Sequence, residues 1–439
     1  MDAKREAATE IIRRLRAEGF PAYLVGGCVR DMLAGRTPKD YDVTTRATPD
    51  QVVALFPEAL TIGAQFGVVI VPQEGGNVEV ATFRSDGVYT DGRHPTEVRY
   101  SQTPQEDVQR RDFSINGLLY DPLSDQVLDF VGGQADLRAR RLRTIGDPFE
   151  RFSEDRLRML RAVRFTTRFN FKLDSAALEA IRQLAPQIHA VSAERVRDEI
   201  VKILTEGPAR AGFELLDQSG LLAEVLPEIK RLQGVEQPPE FHPEGDVWIH
   251  TLMMLEGLRQ PSAALALGVL LHDVGKPPTF SIRERIRFDN HVEVGAKMAE
   301  EICRRLRISA RESEHIVALV QHHLRFKDFP HMKRSTQLRF IRMDGFDEHL
   351  ELHRLDCLAS HGDLTNYEMA RRMLLETPQE QIKPAPLLSG NDLIAQGYGP
   401  GPIFRKILQA VEDAQLEGRV HDHAEALRLV KQHFPVNSK

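Results

Sequence analysis

Two hydrophobic rhythms divide the chain. Residues 1–20 set charged residues against apolar ones three and four apart, with Ile11, Ile12 and Leu15 on one stripe, which predicts an amphipathic helix. From about residue 22 to 130 the apolar residues come instead in short β-branched runs bounded by Gly, Pro and Asp: AYLV at 22–25, VVIV at 68–71, VEVATF at 78–83 and EVRY at 97–100, with one more inside RTPKDYDVTT. Such runs predict strands, so this part is expected to be α/β or α+β. From about Leu137 the helical period takes over and strand signals thin out, which predicts a mostly α-helical remainder.

Two stretches rich in proline and glycine, 231–246 and 377–402, punctuate the helical part and mark boundaries. The expected layout is a head at 1–136, a helical neck at 137–232, a second helical domain at 240–365 and a helical tail at 366–439. No internal repeat or low-complexity tract competes with it.

Composition narrows the function. A chain of 439 residues with 41% hydrophobic and 28% charged positions has room for several real cores. Its three cysteines, Cys28, Cys303 and Cys357, are odd in number and far apart, which argues against a disulfide framework or a Cys-rich zinc site and for a reducing, cytoplasmic compartment. No apolar run approaches the ~20 residues of a bilayer span, and the N-terminus lacks a signal-peptide core, so no membrane partner is expected. A net charge of −6, from 58 Lys and Arg against 64 Asp and Glu, argues globally against nucleic-acid binding. The local count reverses that: residues 136–172 hold eleven Lys and Arg against five Asp and Glu, a net of +6 that leaves −12 elsewhere. A short basic track suits a short stretch of phosphate backbone rather than long wrapped nucleic acid, with Arg138, Arg140 and Arg141 as its RNA-binding candidates and no DNA expected.

The first candidate chemistry is Asp40-Tyr41-Asp42-Val43. As a strand, 40–43 would place Asp40 and Asp42 on one face and Tyr41 and Val43 in the core. Two carboxylates on one face repel unless a cation lies between them, and oxygen-only ligands suit Mg²⁺. Gly26-Gly27 after AYLV lets a backbone approach phosphates, and Glu79, between apolar neighbours in a later run, offers a third carboxylate. Alone, D-x-D is more often a turn or a solvated edge; together these features describe a two-metal phosphoryl- or nucleotidyl-transfer site.

Further along, SEDRLRMLRAVRF predicts a helix with Ser153 as N-cap and Asp155, Arg158, Arg161 and Arg164 three apart in a polar stripe. Cytosine and adenine each present an amino donor beside a ring-nitrogen acceptor. An aspartate and an arginine side by side therefore accept both and reject guanine and uracil.

The second domain carries His242 and His250, then LLHDVGKP with His272 and Asp273, then His291, His322 and Asp356, a mixed nitrogen and oxygen set suited to a divalent metal of unspecified identity. His322 and His323 are adjacent and only one is expected to ligate; His322 is selected. Gly399-Pro400-Gly401-Pro402 in the tail reads as a rigid helix start.

LVGGCVRDMLAGRTPKDYDVTT, the RRDFSING run at 110–117 and EDRLRMLRAVRF at 154–165 resemble, in order and spacing, the signatures of class II tRNA nucleotidyltransferases and bacterial poly(A) polymerases over about the first 230 residues. The histidine pattern resembles the HD superfamily of metal-dependent phosphohydrolases. The resemblance implies an α+β fold: a polymerase β-like nucleotidyltransferase head of mixed sheet and flanking helices, then an all-α neck, an all-α HD domain and the helical tail. It implies that Asp40, Asp42 and Glu79 are catalytic, with Mg²⁺ at Asp40 and Asp42. It also implies that Asp155 and Arg158 read the base, while Gly27, Arg30, Arg111, Arg161 and Arg164 contact nucleotide or phosphate. The implied activity is template-independent addition of the 3′-terminal CCA, or its A, to tRNA from CTP and ATP. A polar loop at Ser85–Pro95 favours enzymes that add the A, and an HD phosphatase or cyclic phosphodiesterase activity would accompany the transfer. Poly(A) synthesis, a mainly hydrolytic HD enzyme acting on RNA ends, and a non-catalytic RNA chaperone are the alternatives.

Overall fold

Burial and strand pairing decide which of these rhythms become elements. The computed structural model describes residues 2–63, 67–86, 98–240 and 245–435, and they gather into two compact units, Met1–Lys230 and Arg231–Lys439. Most of the Ser85–Pro95 loop, and His242, lie outside the described residues.

In the first unit, helix α1 (Ala3–Ala17) is capped by Asp2 and buries Ala8, Ile11, Ile12 and Leu15. Behind it stands a six-stranded sheet of β1 (Ala22–Val25), β2 (Asp42–Thr45), β3 (Val68–Val71), β4 (Val78–Thr82), β5 (Leu118–Asp121) and β6 (Gln126–Asp129), in the order β3-β4-β2-β1-β5-β6. The sheet is mixed: β2 and β4 run parallel, and every other neighbouring pair is antiparallel. The β5–β6 hairpin escaped the sequence signals because LLYD is not β-branched; its turn is held by Asp121, which accepts from Leu123 N and Ser124 Oγ at 2.9 and 2.8 Å.

The strand carrying the acidic pair starts later than its sequence predicts. Pairing of β2 with β1 begins at Val25 opposite Asp42, because Gly26 turns the chain away with φ +75°, a conformation open to glycine and few others. Tyr41 and Val43 are buried as expected, but Asp40 has no strand partner and stands exposed ahead of β2, where Lys4 Nζ meets its Oδ1 at 3.3 Å.

Short α2 (Gly27–Leu33) leaves the diglycine turn, and α3 (Pro104–Gln109) precedes the RRDF run. The neck helix is also divided differently from the expectation. Asp147, not Ser153, caps the first piece, α4 (Pro148–Glu154), because Pro148 at the first helical position fixes the start there. The chain becomes extended at Asp155 and resumes as α5 (Leu157–Phe169), with Asp155 Oδ1 accepting from Leu157 N at 3.1 Å. α6 (Ala193–Thr205) packs against α5.

The second unit is helical. Its α8 (Ala263–Leu271) is apolar on all sides, as central helices are, and α7 (Val247–Gly257) is mostly apolar, with His250 and Thr251 buried in it. Around them lie α9 (His291–Arg305), α10 (Ala310–His322) and α11 (Phe346–Ala359). The small hairpin Phe280–Ile282/Ile286–Phe288 joins α8 to α9. In the tail, α12 (Pro402–Leu416) starts with its proline at the first helical position and shares a separate core with α13 (His423–His433).

Candidate functional site

The parallel pairing of β2 and β4 builds the acidic corner of the first unit. Val43 lies opposite Val80 with both side chains in the core, so Asp42 and Glu79, one position earlier on each strand, share the opposite face. Burial pushes the Asp42 carboxyl up to about 6; Glu79 and Asp40 add repulsion that Arg111 partly offsets. A buried carboxyl raised by burial and by two neighbouring carboxylates is a site in want of a cation, and an all-oxygen donor set fits Mg²⁺.

Beside this corner opens a cleft of about 470 Å³ lined by Gly26, Gly27, Arg30, Asp42, Arg110 and Arg111, and beyond them by Asp155, Arg158, Arg161 and Arg164. The structure thus brings the expected nucleotide-binding residues and Asp42 to one cavity. Their charges are already engaged. Arg30 is buried, donates to Asn116 Oδ1 at 2.6 Å and lies over the Phe169 ring at 4.4 Å. Arg161 donates twice to Asp112 Oδ2, at 2.9 and 2.7 Å, and burial of Asp112 is outweighed by Arg161, Asn116 and Arg158, which hold its carboxyl down at about 2. Arg164 pairs with buried Glu199 at 2.8 Å. Arg158 donates to Glu154 at 2.6 Å and to the Arg110 carbonyl at 3.0 Å. Asp155 pairs with Arg195 of α6 at 2.8 Å.

Sequence reasoning missed the groups that aim these arginines. Asp107 is wholly buried at the end of α3; its Oδ1 accepts twice from Arg110, at 3.0 and 2.8 Å, and its Oδ2 from Arg111 at 2.9 Å. Its spacing of three and four residues from the two arginines was the available signal. Arg195 and Glu199 of α6, and Glu206 just after it, pair with Asp155 and Arg164 from far along the chain and left no local signal. Of the RNA-binding candidates, Arg138 and Arg140 are exposed, while Arg141 is exposed but paired at 2.5 Å with buried Asp136.

The second unit gathers its own centre. His272 and Asp273 follow α8, with His272 Nε2 3.1 Å from Asp273 Oδ2. His291 and His323 approach Asp273 Oδ1 at 3.9 and 3.8 Å, and His250 stands 3.2 Å from Asp356. Two groups of close donor atoms share Asp273: His250, His272 and Asp273, then Asp273, His291 and His323. In His272, His291 and His323 the Nδ1 atom faces a backbone carbonyl at 2.7–2.8 Å. That contact fixes the proton on Nδ1 and turns a bare Nε2 inward, as in metal-ligating histidines. Those three Nε2 atoms and Asp273 Oδ1 are buried with no hydrogen-bond partner, so the residues fit a bound divalent cation. Burial holds His323 down at about 4, against the opposing pull of Asp273. Asp273 itself is raised by burial, but His272 and Lys276 outweigh that and hold it well below the ordinary carboxylate range.

His322 is not part of this centre, contrary to the sequence expectation. It ends α10, and one residue further rotates the chain by about 100°. Burial therefore turns His323 toward Asp273 and leaves the His322 ring 6.0 Å from that of His349.

Among the described residues no helix is long and apolar enough to cross a membrane. Residues 22–143 match the poly A polymerase head domain family, 170–232 the probable RNA and SrmB-binding site of polymerase A, and 246–352 the HD domain. The CCA-adding enzyme of Staphylococcus epidermidis is 36% identical over 253 residues, 57% of this chain and 62% of that protein. That of Geobacillus thermodenitrificans is 42% identical over 216 residues, 49% of this chain and 53% of that protein. The chain thus spans little more than half the length of these relatives. A structure of the Bacillus stearothermophilus CCA-adding enzyme in complex with CTP aligns with TM-score 0.76 at 27% identity, over 98% of this chain and 99% of that one. The Thermotoga maritima CCA-adding enzyme complexed with tRNA shares the fold, with TM-score 0.61 at 19% identity over 97% and 94% of the two chains.

Proposed function

We propose that this chain, which belongs to the family of class II tRNA nucleotidyltransferases and bacterial poly(A) polymerases with an HD domain, extends the 3′ end of tRNA in the cytoplasm with CCA, or with its A, from CTP and ATP. The observation that carries the proposal is the single cleft joining Asp42, set beside Glu79, to the Asp155–Arg158 pair. Asp40, Asp42 and Glu79 would hold Mg²⁺, which supplies charge neutralisation for a triphosphate and lowers the pKa of the attacking 3′-hydroxyl. Arg111, beside Asp42, and Arg30 give phosphate oxygens directional donors. Gly27 leaves the backbone bare beside them. Asp155 accepts from the amino group of C or A while Arg158 donates to the ring nitrogen; Arg195 and Glu154 hold the two side chains until a base competes for them. Arg161 and Arg164, pinned by Asp112 and Glu199, keep the wall behind the base rigid, and the exposed Arg138 and Arg140 receive the acceptor arm.

The test is incorporation into tRNA transcripts ending before CCA, after C and after CC, with Mg²⁺ and CTP or ATP alone and together. Ordered addition that stops at CCA, or A addition confined to CC ends, is expected. No incorporation into any transcript refutes the proposal, and long ATP-only tails on unstructured RNA would make the protein a poly(A) polymerase.

A second reading rests on the bare Nε2 atoms around Asp273: hydrolysis of phosphate esters at RNA ends by the HD centre, with His323 in place of His322 among its ligands. His250, His272, His291 and Asp356 complete the set, and the shared Asp273 allows two cation positions. Release of phosphate from a 2′,3′-cyclic end that is lost in Asp273→Asn supports it; equal release by both proteins refutes it.

A further inference from the structure

The hairpin between α8 and α9 leaves apolar side chains in water beside the HD centre. Its strands pair Phe280 with Phe288, Ser281 with Arg287 and Ile282 with Ile286. Directly paired residues project to the same side, so Phe280, Ile282, Ile286 and Phe288 make one apolar face, and Ser281 and Arg287 the other. Phe280 is 38% and Ile282 67% exposed. Large apolar side chains left in water on a two-stranded hairpin gain little there from burial.

The same face runs into the metal-binding residues. The Phe280 and Phe288 rings are 5.9 Å apart, and Phe288 meets the His291 ring edge to face at 6.2 Å, with the Lys276 ammonium 5.3 Å over it. The Phe288 carbonyl accepts from His291 Nδ1 at 2.8 Å, so the strand that carries the ring also orients a ligand of the centre. At this inner end Lys276 donates to Asp273 Oδ2 at 2.7 Å and to Gln237 Oε1 at 2.6 Å. Gln237 is 4% exposed, and its Nε2 is a buried donor with no partner. At the outer end Arg283 and Arg285 stand exposed on either side of Glu284, while Arg287 is held by Asp289 at 3.1 Å. Rings set between exposed arginines and an unused buried donor suit a single nucleic-acid strand, whose bases stack while its phosphates meet the polar groups.

We propose that Phe280 and Phe288, with Ile282 at their edge, form a stacking shelf for the last nucleobase of a single-stranded RNA end presented to the HD centre, with Arg283 and Arg285 on the backbone that leads to it. The proposal rests on the second reading above, hydrolysis of phosphate esters at RNA ends, and narrows its substrate to an end whose last nucleotide carries a base on a strand. A small phosphate ester has nothing to lay on the shelf. A base held there brings the phosphate of its own nucleotide toward His291 and Lys276, where Gln237 Nε2 is the donor still unused. Every base has a π-face, so the shelf is expected to tolerate any of the four. An apolar face alone would suit a protein as well; the arginines at the turn and the bare donor at the inner end select a polyanion.

The test is stopped-flow fluorescence of the full chain, with Mg²⁺ present, mixed with a short oligoribonucleotide that ends in 2-aminopurine riboside 2′,3′-cyclic phosphate. Stacking quenches this base, the quench is read in the binding phase, and the cyclic end offers the head no hydroxyl to extend. Quenching by wild type is expected, with Kd raised at least about fivefold in Phe280→Ala and a gap that closes when the last nucleotide is abasic. Ile282→Ser, a change at an exposed position that keeps the strand pairing, is expected to weaken the quench in the same direction. Arg283→Ser combined with Arg285→Ser is expected to weaken binding of both ends and to lower its salt dependence. Absence of quenching in wild type, or equal quenching and affinity in wild type and both shelf variants, overturns the proposal. A gap that persists with the abasic end overturns it equally, since Phe280 is then structural. Phosphate release, measured in parallel, tests the second reading separately. Release without Phe280-dependent quenching removes the shelf alone, and Phe280-dependent quenching without release removes the hydrolysis alone.

Discussion

Replacing Asp107 by Asn keeps the shape of a wholly buried side chain and removes the charge on which two arginines converge. The carboxylate accepts from Arg110 at 3.0 and 2.8 Å and from Arg111 at 2.9 Å, with Thr44 and the Arg84 amide more distant at 3.4 Å. Breaking a buried ion pair by removing one partner costs about 3–5 kcal/mol; Arg110 and Arg111 are partly exposed, which places the expected loss near the lower figure, about 3 kcal/mol. The catalytic consequence runs through Arg111, the cation beside Asp42. On the proposed function, in which both triphosphates use Arg111, displacing this arginine by about 1 Å is expected to lower kcat/KM by about 10²-fold for CTP and ATP alike. Two measurements separate these effects: amide hydrogen exchange over Pro104–Gln109 for stability, and single-turnover CMP and AMP transfer for activity. Fluorescence does not serve, since the single tryptophan, Trp248, lies in the other unit. Burial raises the Asp107 carboxyl, but Arg111 and Arg110 outweigh it and hold the group below its ordinary value. A depressed carboxylate stabilises fully above its unfolded pKa and loses that contribution as pH falls through the folded one. The stability gap between wild type and Asp107→Asn is therefore complete at neutral pH and closes only below about pH 4. If exchange protection falls while kcat/KM stays within about twofold, Asp107 is structural and the positioning argument is wrong.

Three further outcomes follow from the same geometry. Because Asp42 is pushed up to about 6, transfer at limiting Mg²⁺ is expected to fall as pH drops through that value and to be restored by more Mg²⁺; a Mg²⁺ requirement independent of pH across that range contradicts the assignment. Asp155→Asn puts an amide that can donate where only an acceptor stood, while Arg158 still donates, and on the proposed function is expected to lower the preference for CTP over UTP by about 10–10²-fold, corresponding to ~1–3 kcal/mol per base contact; competition assays with equal nucleotide concentrations check it. His323→Ala is expected to abolish phosphate release at the HD centre while His322→Ala retains it, with CCA addition unchanged in both; the reverse order would restore the ligand choice made from the sequence.

Much of this was legible in the chain because chemistry and punctuation coincided. The diglycine after AYLV, the acidic pair leading into VTT and HD at the end of an apolar helix each combine a local conformation with side chains that suit a site. What was lost depended on phase and on distance. Asp155 was read as lying inside one helix, because nothing local announces that Asp147 and Pro148 have already started another. His322 and His323 are equivalent in sequence and differ by one step of rotation at a helix end, which burial alone decides. Arg195 and Glu199 act across more than thirty residues, beyond any periodicity.

The parallel pairing of β2 with β4 gives the acidic corner unequal jaws. Asp42 and Glu79 hang from adjacent strands about 4.8 Å apart and cannot move without the sheet. Asp40 hangs from unpaired chain on a lysine leash. One side of the vice is set by the sheet and the other by a single side-chain contact, so on the proposed function the slack for triphosphates of different base is expected on the Asp40 side. Lengthening the sliding jaw by a methylene, Asp40→Glu, is then a matter of slack, whereas Asp42→Glu drives a longer arm into a spacing set by backbone hydrogen bonds.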